Sequence, residues 1–252
     1  MSELTGLYAL WYREFKVFTR EKSRVVSSLV QPLMWLVIFG TGLGSAIEGV
    51  GGVGNYQQFI YPGILAMTVL FGSLFFGLYI IMDRRVDFLK EVLVAPLSRT
   101  TIFFGKVLGG STDGIIEIIM LIILGALFFS IPFTILSAIE TLLLIFLLMV
   151  PIISLGLTIG SLMSSPEGFG LVSSFVIFPL FFLSGALFPV KSLPAWLYTF
   201  VALNPVTYAV DALRSVILGV SGFGLGLDLA VMVAFAVAMV VIGTQAFKRM
   251  KV

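Results

Sequence analysis

The sequence contains six uncharged runs that are each long enough to cross a lipid bilayer as a helix. A membrane-spanning α-helix needs about 20 consecutive apolar residues. Because the chain is 59% hydrophobic and only 11% charged, a soluble domain of 252 residues would have too little interior to bury its apolar surface. We therefore predict an all-α integral membrane protein with six transmembrane helices. The spans lie within 25–47, 56–82, 118–139, 141–165, 168–190 and 229–247.

Lysine and arginine residues are unevenly distributed between the loops, which predicts that both termini lie in the cytoplasm. Cytoplasmic segments of membrane proteins carry an excess of these residues. With six spans, thirteen of the 15 basic residues lie on one side, in the N-terminal segment, the loop after the second span and the C-terminal tail. Only Lys191 and Arg214 lie on the other side. A seventh span through 192–210 would move the basic tail outside, and its prolines favour short broken helices instead.

The N-terminal segment, 1–24, has the pattern of an amphipathic surface helix. Its apolar and basic side chains recur on different helical faces, which is typical of a helix lying on the cytoplasmic membrane surface. The alternative is a basic segment that only sets the topology. The apolar face comprises Leu7, Trp11, Phe15 and Phe18, and the basic face comprises Arg13, Lys16 and Arg20.

The predicted cytoplasmic loop 83–106 contains the densest group of charges in the chain. Its stretch DRRVDFLKEVLVAPLSRT carries seven of the 28 charged residues. Helical spacing predicts a short amphipathic helix that ends before Pro96. A topology signal alone would not need the acidic Asp87 and Glu91, so we expect this helix to bind a partner protein. Its apolar face comprises Phe88, Leu89, Val92 and Leu93, and its polar face comprises Asp87, Lys90 and Glu91.

Several chemistries are excluded by residue types that the chain lacks. Without cysteine and histidine there are no disulfides, thiolate nucleophiles, histidine bases or usual zinc ligands. The string GVGGVG at 49–54 follows a predicted span rather than a strand, so we interpret it as a hairpin loop and not as a dinucleotide site. A net charge of +2 gives no basis for nucleic-acid binding. We expect no enzymatic activity and no cofactor in this chain.

Two pairs of charged residues lie three or four positions apart, at the spacing of one helical turn. Asp113 and Glu117 lie four residues apart near the predicted start of the third span, and we interpret them as carboxylates that favour a helix N-terminus at the cytoplasmic interface. An ion or proton site is the alternative, because acidic residues inside a membrane are usually functional. Asp211 and Arg214, three residues apart, are expected to pair with each other.

Three stretches resemble the permease subunits of type-2 ABC transporters, a family that includes bacterial drug, nodulation-factor and polysaccharide exporters. They are VQPLMWLVIFGTGLGS, FLKEVLVAPLSRTTIFFGKVLGG and FPLFFLSGALFPVKSLPAWLYTFVALNPVTYAVDALR. Together with the six-span layout, they cover nearly the whole chain. The resemblance implies one permease domain, 1–252, in the plasma (inner) membrane of a prokaryote. It also implies two permeases, expected as a homodimer, with two cytoplasmic ATP-binding subunits that hold ATP and Mg²⁺.

The resemblance also implies a role for individual segments. The helix near 87–95 is similar to the coupling helix that docks on the ATP-binding subunit, and 189–226 is similar to a pair of outer re-entrant helices. The implied docking residues are Asp87, Phe88, Leu89, Lys90, Glu91, Leu93, Pro96 and Arg99, with further cytoplasmic contacts from Arg13, Lys16 and Glu167. The implied outer gate comprises Ser184, Gly185, Pro189, Pro194, Pro205, Asp211 and Arg214.

The resemblance implies that the cargo is exported. The cargo is expected to be hydrophobic, amphipathic or lipid-linked, because no cluster of charges lies in the middle of the predicted spans. Aromatic residues of the second and fifth spans are candidates for its path, with lipid contact or helix packing as the alternative. These residues are Phe75, Phe76, Tyr79, Phe175, Phe178 and Phe182. The rival function is a secondary transporter driven by an ion gradient, in which Asp113 and Glu117 bind the ion.

Overall fold

The computed structural model describes residues 2–42, 55–190 and 193–250, and within these ranges the chain is helical and contains no strand. Eleven helices make up this described part of the chain. They are α1 (Glu3–Arg20), α2 (Lys22–Gly42), α3 (Tyr56–Phe75), α4 (Leu78–Arg85), α5 (Phe88–Val94), α6 (Arg99–Phe128), α7 (Ile135–Leu162), α8 (Pro166–Phe182), α9 (Ala195–Leu203), α10 (Pro205–Leu218) and α11 (Leu225–Arg249).

The apolar helices confirm a multi-pass membrane protein. Five of them are long and apolar enough to cross a bilayer, namely α2, α3 continued by α4, α6, α7 and α11. The apolar α8 has 17 residues, which is the short limit for a span. Helices α9 and α10 are bent by 86° relative to each other, where Asn204 caps α10 and Pro205 begins it. The end of the first predicted span, 43–47, and the GVGGVG string at 49–54 lie outside the described residues.

The predicted position of the third span, 118–139, is wrong. Helix α6 begins at Arg99 and ends at Phe128, and α7 begins at Ile135. Three charged side chains, those of Lys106, Asp113 and Glu117, are buried within α6. Because the prediction treated every charge as a boundary, it left out residues 99–117 of α6 and included the turn after the helix.

Close backbone contact joins the break between α3 and α4 to α7. A Cβ atom added to Gly156 of α7 would lie 2.3 Å from the carbonyl oxygen of Leu74, and one added to Gly77 would lie 2.0 Å from the carbonyl oxygen of Gly156. Small residues allow membrane helices to approach each other in this way. The contact fixes the position of α4, which leads directly to α5.

We expect Gly156→Ala to destabilise the protein by about 1–3 kcal/mol, because the added methyl group forces two backbones apart. Gly170→Ala in α8 is the matched control, since no atom lies within 4 Å of the added Cβ. The control should be neutral or stabilising, because alanine favours helix more than glycine does. Unfolding of both variants in mixed detergent micelles, followed by far-UV circular dichroism, measures the difference. Equal midpoints for the two variants would contradict the close contact.

The helix bundle has two distinct ends. At the end that we call the α1 end, α4 and α7 finish and α6 starts, and Arg84 of α4 donates to the carbonyl oxygen of Met163 at 3.0 Å. At the opposite end, which we call the α9 end, the Tyr56 hydroxyl at the start of α3 donates to the carbonyl oxygen of Leu187 at 3.0 Å. The two ends therefore carry the two groups of predicted functional residues.

Helix α1 confirms the predicted N-terminal helix, but its buried face differs from the predicted apolar face. The buried residues are Gly6, Leu10, Glu14 and Phe18. Two further contacts tie α1 to α6: the Trp11 indole donates to the Thr112 hydroxyl at 2.9 Å, and an added Cβ on Gly105 would lie 2.9 Å from that of Leu10. Helix α1 therefore packs along the first half of α6.

Candidate functional site

Four charged side chains form a cluster at the α1 end, in which Glu14, Asp83 and Lys106 are buried and Arg13 is one-third exposed. The Lys106 ammonium contacts Glu14 at 2.7 Å and also contacts Asp83. Arg13 contacts Glu14 at 2.7 Å and Asp83 at 2.8 Å. Two cations and two anions make the cluster neutral, and Lys106 is only 1% exposed. We call these residues, Arg13, Glu14, Asp83 and Lys106, the ionic cluster.

The ionic cluster joins three separate helices. Arg13 and Glu14 belong to α1, Asp83 to α4 and Lys106 to α6. Burial lowers the pKa of Arg13, but its hydrogen bond to Asp83 and the negative charges of Glu14 and Asp83 outweigh burial and raise that pKa above its usual value. Arg13 therefore stays charged, and α1, α4 and α6 are held together as a unit.

Sequence reasoning did not find this cluster. It assigned Asp83 and Lys106 to the cytoplasmic loop 83–106, and it did not consider Glu14, which is buried with them. One signal was available in the sequence: Glu14 lies four residues after Leu10 and before Phe18, in register with an apolar helical stripe. An acidic residue in such a stripe indicates a buried cationic partner.

The ionic cluster is directly connected to α5, the predicted coupling helix. Asp83 lies in the last turn of α4, and Asp87 turns the chain into α5 with a left-handed backbone, φ 58°. The Arg13 guanidinium lies 3.9 Å from the centre of the Phe88 ring. Leu89 is 1% exposed and belongs to the hydrophobic core. Helix α5 is thus fixed to the rest of the α1 end by its first turn.

The residues of α5 that face outward in the structure differ from those that the amphipathic pattern predicted. Leu89 and, in part, Phe88 and Val92 pack against the chain itself, although the amphipathic pattern assigned them to a partner. Among the described side chains of this segment, the large apolar ones that are exposed are Val86, which precedes α5, and Val94, its last residue; they are 71% and 86% exposed. Among the predicted docking residues, Asp87, Glu91 and Pro96 are exposed. The side chains of Lys90 and Leu93 lie outside the described part of the structure.

The remaining predicted contacts of the α1 end have different environments. Arg99 donates to the carbonyl oxygens of Lys248 at 2.9 Å and Met250 at 2.7 Å, so it binds the end of α11. Lys16 and Glu167 are exposed, as a contact with a partner would require. The exposed Glu3 accepts hydrogen bonds from Thr101 and from the backbone of Ser98, and the first of these is the main reason that its pKa is lowered.

At the α9 end, the predicted gate residues form a hydrogen-bonded turn before α9. The buried Ser184 hydroxyl donates to the carbonyl oxygen of Phe181 at 2.6 Å, and Gly185 has a left-handed backbone, φ 70°. The Asn204 amide donates to the carbonyl oxygen of Leu180 at 2.8 Å. Pro189 and Pro194 lie between this turn and α9, and Pro205 begins α10. These bonds connect the end of α8 to the bend between α9 and α10.

Asp211 and Arg214 do not form the predicted ion pair by direct contact: no salt bridge joins them in the described part of the chain, although the negative charge of Asp211 still acts on Arg214. Arg214 donates to the carbonyl oxygen of Gly185 at 3.0 Å and lies 4.2 Å from the centre of the Phe59 ring. Asp211 accepts from the backbone of Gly222 at 2.8 Å, and also from Ser221 and Phe223. The two side chains bind different segments. The turn before α9 presents a carbonyl oxygen to Arg214, and the turn after α10 presents backbone N–H groups to Asp211.

The predicted cargo residues separate into three environments. Phe75 and Tyr79 line a groove of about 390 Å³ between α2, α3, α4 and α6. Phe76 is buried, and an added Cβ on Gly110 would lie 3.0 Å from its ring. The aromatic residues of α8 are exposed on its outer face: Phe175, Phe178 and Phe182. The groove also contains Glu117 and Gln31, which sequence reasoning did not connect.

Comparison with known proteins gives the family. The model of the ABC-2 type transporter family matches residues 5–218. The inner membrane transport permease YadH of Escherichia coli (strain K12) is 31% identical over 247 residues, which cover 94% of this chain and 92% of YadH. A relative named as a transport permease, ycf38 of Cyanophora paradoxa, is 34% identical over 213 residues, 82% of this chain and 72% of its own length. Nodulation protein J of Rhizobium leguminosarum bv. trifolii is 27% identical over 215 residues, 84% of this chain and 80% of its own length.

The family match covers both the ionic cluster with α5 and the turn around Arg214. It agrees with the apolar helices, which are those of a multi-pass protein. The chain is therefore a member of the ABC-2 type transporter permease family, a transport permease of the inner membrane.

Proposed function

We propose that this chain is the transmembrane subunit of an ATP-driven exporter and that α5 is the helix on which a separate ATP-binding subunit docks. The observation that supports this most strongly is the combination at α5. Val94 at the end of α5 and Val86 just before it are exposed, while the first turn of α5 is fixed by Phe88 and Leu89. An apolar surface flanked by charges fits a groove on a partner protein.

The ionic cluster connects this surface of α5 to the membrane helices. A displacement of α5 acts first on α4 through the turn at Asp87. Because Asp83 of α4 contacts both Arg13 and Lys106, the displacement also reaches α1 and α6. ATP binding to the partner shifts the permease between two states only if the partner binds those states with different affinities. Because a rigid joint connects α5 to three helices, α5 moves with them between the two states, and the partner can bind the two positions of α5 with different affinities.

The proposal includes the orientation and the assembly. The α1 end faces the cytoplasm with both termini, and the bend between α9 and α10 lies outside as a re-entrant pair. Two copies of the chain form a homodimer with two ATP-binding subunits, and ATP and Mg²⁺ are held by those subunits. The apolar faces of α2 and α8 remain exposed in one copy, including Met34 and Phe175, and we assign the contact between copies to this side. The cargo is amphipathic, hydrophobic or lipid-linked.

Co-purification with a candidate ATP-binding subunit in lipid nanodiscs tests the function. We expect a complex of two permeases and two ATP-binding subunits by native mass spectrometry, with ATP hydrolysis faster in the complex than in the isolated subunit. The rival is an ion-gradient carrier that uses Asp113 and Glu117, both buried in α6. If no ATP-binding subunit associates, and a pH jump drives proton uptake into proteoliposomes that Asp113→Asn abolishes, the rival replaces our proposal.

A further inference from the structure

The groove between α2, α3, α4 and α6 combines an aromatic wall with a few polar groups. Its volume of about 390 Å³ is within the range of about 300–1,000 Å³ typical of small-molecule sites. Phe71, Phe75 and Tyr79 supply aromatic surface, and Gln31, Thr68 and Glu117 supply polar atoms. None of the described residues that line the groove is a lysine or an arginine. Among the described residues that line the groove, Glu117 is therefore the one acidic residue.

The polar groups of the groove lie at one depth in the membrane. Gln31, Thr68 and Glu117 are 11, 12 and 11 residues from the ends of α2, α3 and α6 at the α9 end. At 1.5 Å per residue, these separations are about 17–18 Å. A hydrocarbon core is about 30 Å thick, so the three side chains lie near its middle. The interpretation of Glu117 as a carboxylate at a helix N-terminus is wrong, because α6 begins at Arg99 and Glu117 lies inside the helix.

We propose that this groove is a cargo site and that it selects an amphipathic organic cation, whose positive group pairs with Glu117. The inference rests on the proposed function, because it names the cargo class of the exporter. A carboxylate in a low-dielectric surrounding attracts a cation far more strongly than it does in water. Aromatic rings add attraction for a cation through their negative faces, and Phe71 and Phe75 provide apolar surface for the rest of the molecule. An anionic cargo would meet repulsion with no basic residue to offset it.

Two neighbouring features support a binding role for Glu117 over a purely structural one. The residue is buried, yet it lines the open groove as well as a small cavity that it shares with Asp113. Gly72 lies opposite, and an added Cβ there would be 3.7 Å from a Glu117 carboxylate oxygen. Gly72 also lines the groove, so the carboxylate lies against the groove wall on this side.

Binding of two ions of matched size and opposite charge tests the proposal. The full chain in nanodiscs is titrated with tetraphenylphosphonium and with tetraphenylborate, and binding to empty nanodiscs is subtracted. We expect saturable binding of the phosphonium and none of the borate. Glu117→Gln, which keeps the shape of the side chain, should weaken phosphonium binding at least tenfold. Glu140→Gln, which removes the same charge from a half-buried position outside the groove, should leave it unchanged.

A second variant tests the groove independently, so that the inference can still be tested if Glu117→Gln fails to fold. Ser28 lines the groove and is half-buried, so Ser28→Phe should narrow the groove without changing its charge and should also weaken phosphonium binding. Equal binding of both ions, or unchanged phosphonium binding in Glu117→Gln and Ser28→Phe, would overturn the inference. Because the titration uses no ATP-binding subunit, that result would leave ATP-driven transport of a neutral cargo intact, whereas loss of ATP coupling with cation binding retained would overturn only the proposed function.

Discussion

Replacing Lys106 by methionine should destabilise the protein by about 3–5 kcal/mol, because Arg13 alone then faces two buried carboxylates and one negative charge is left without a counter-ion. Lys106 is buried and contacts both Glu14 and Asp83. Methionine has a similar volume, so the loss reports the charge and not a cavity. Unfolding in mixed detergent micelles, followed by far-UV circular dichroism, measures the effect. An unchanged midpoint would contradict the ionic cluster.

Two further variants separate charge balance from general damage. Lys16→Met removes a lysine from an exposed position on α1 and should change the free energy of unfolding by no more than about 0.5 kcal/mol. The double variant Glu14→Gln with Lys106→Met removes one anion and one cation and keeps the contact between Arg13 and Asp83. It should be more stable than Lys106→Met alone, since no excess negative charge is left buried.

Changing Val94 to aspartate should weaken binding of the ATP-binding subunit about 30-fold or more. A side chain that a partner buries at the centre of an interface contributes about 2 kcal/mol or more, and a carboxylate placed there is desolvated without a partner. Val94 is 86% exposed in the free chain, so its replacement should not affect folding. Leu127→Asp, at the exposed end of α6 near the α9 end, is the matched control. Surface plasmon resonance on nanodiscs measures the affinity, and equal affinities for both variants would refute docking on α5.

Sequence periodicity predicted the helices better than it predicted their contacts. Apolar runs predicted most of the spans, because a helix in lipid must make its backbone hydrogen bonds internally and present apolar side chains to the lipid. The same reasoning failed for α6, since Lys106 and Glu117 are buried where charge pairs or a groove accommodate them. Hydrophobic runs do not contain the information that α1 and α4 supply carboxylates to Lys106.

The candidate site was predictable in its location but not in its surfaces. The position of α5 follows from its charges and from Pro96. Which face it buries does not follow, because Leu89 looks the same in sequence whether it contacts a partner or the core. The groove could not be predicted from the sequence either. Gln31, Thr68 and Glu117 lie on three different helices, and the packing of these helices brings them together.

The most direct test of docking on α5 uses the absence of cysteine from the chain. A single Val94→Cys variant is labelled with a maleimide that carries a photoreactive group, and the labelled permease is illuminated in the complex with its ATP-binding subunit. We predict a cross-linked product with the summed mass of the two chains, and none from Leu127→Cys labelled in the same way. A complex that stays intact but gives no cross-linked product from position 94 would contradict the claim that the ATP-binding subunit docks on α5.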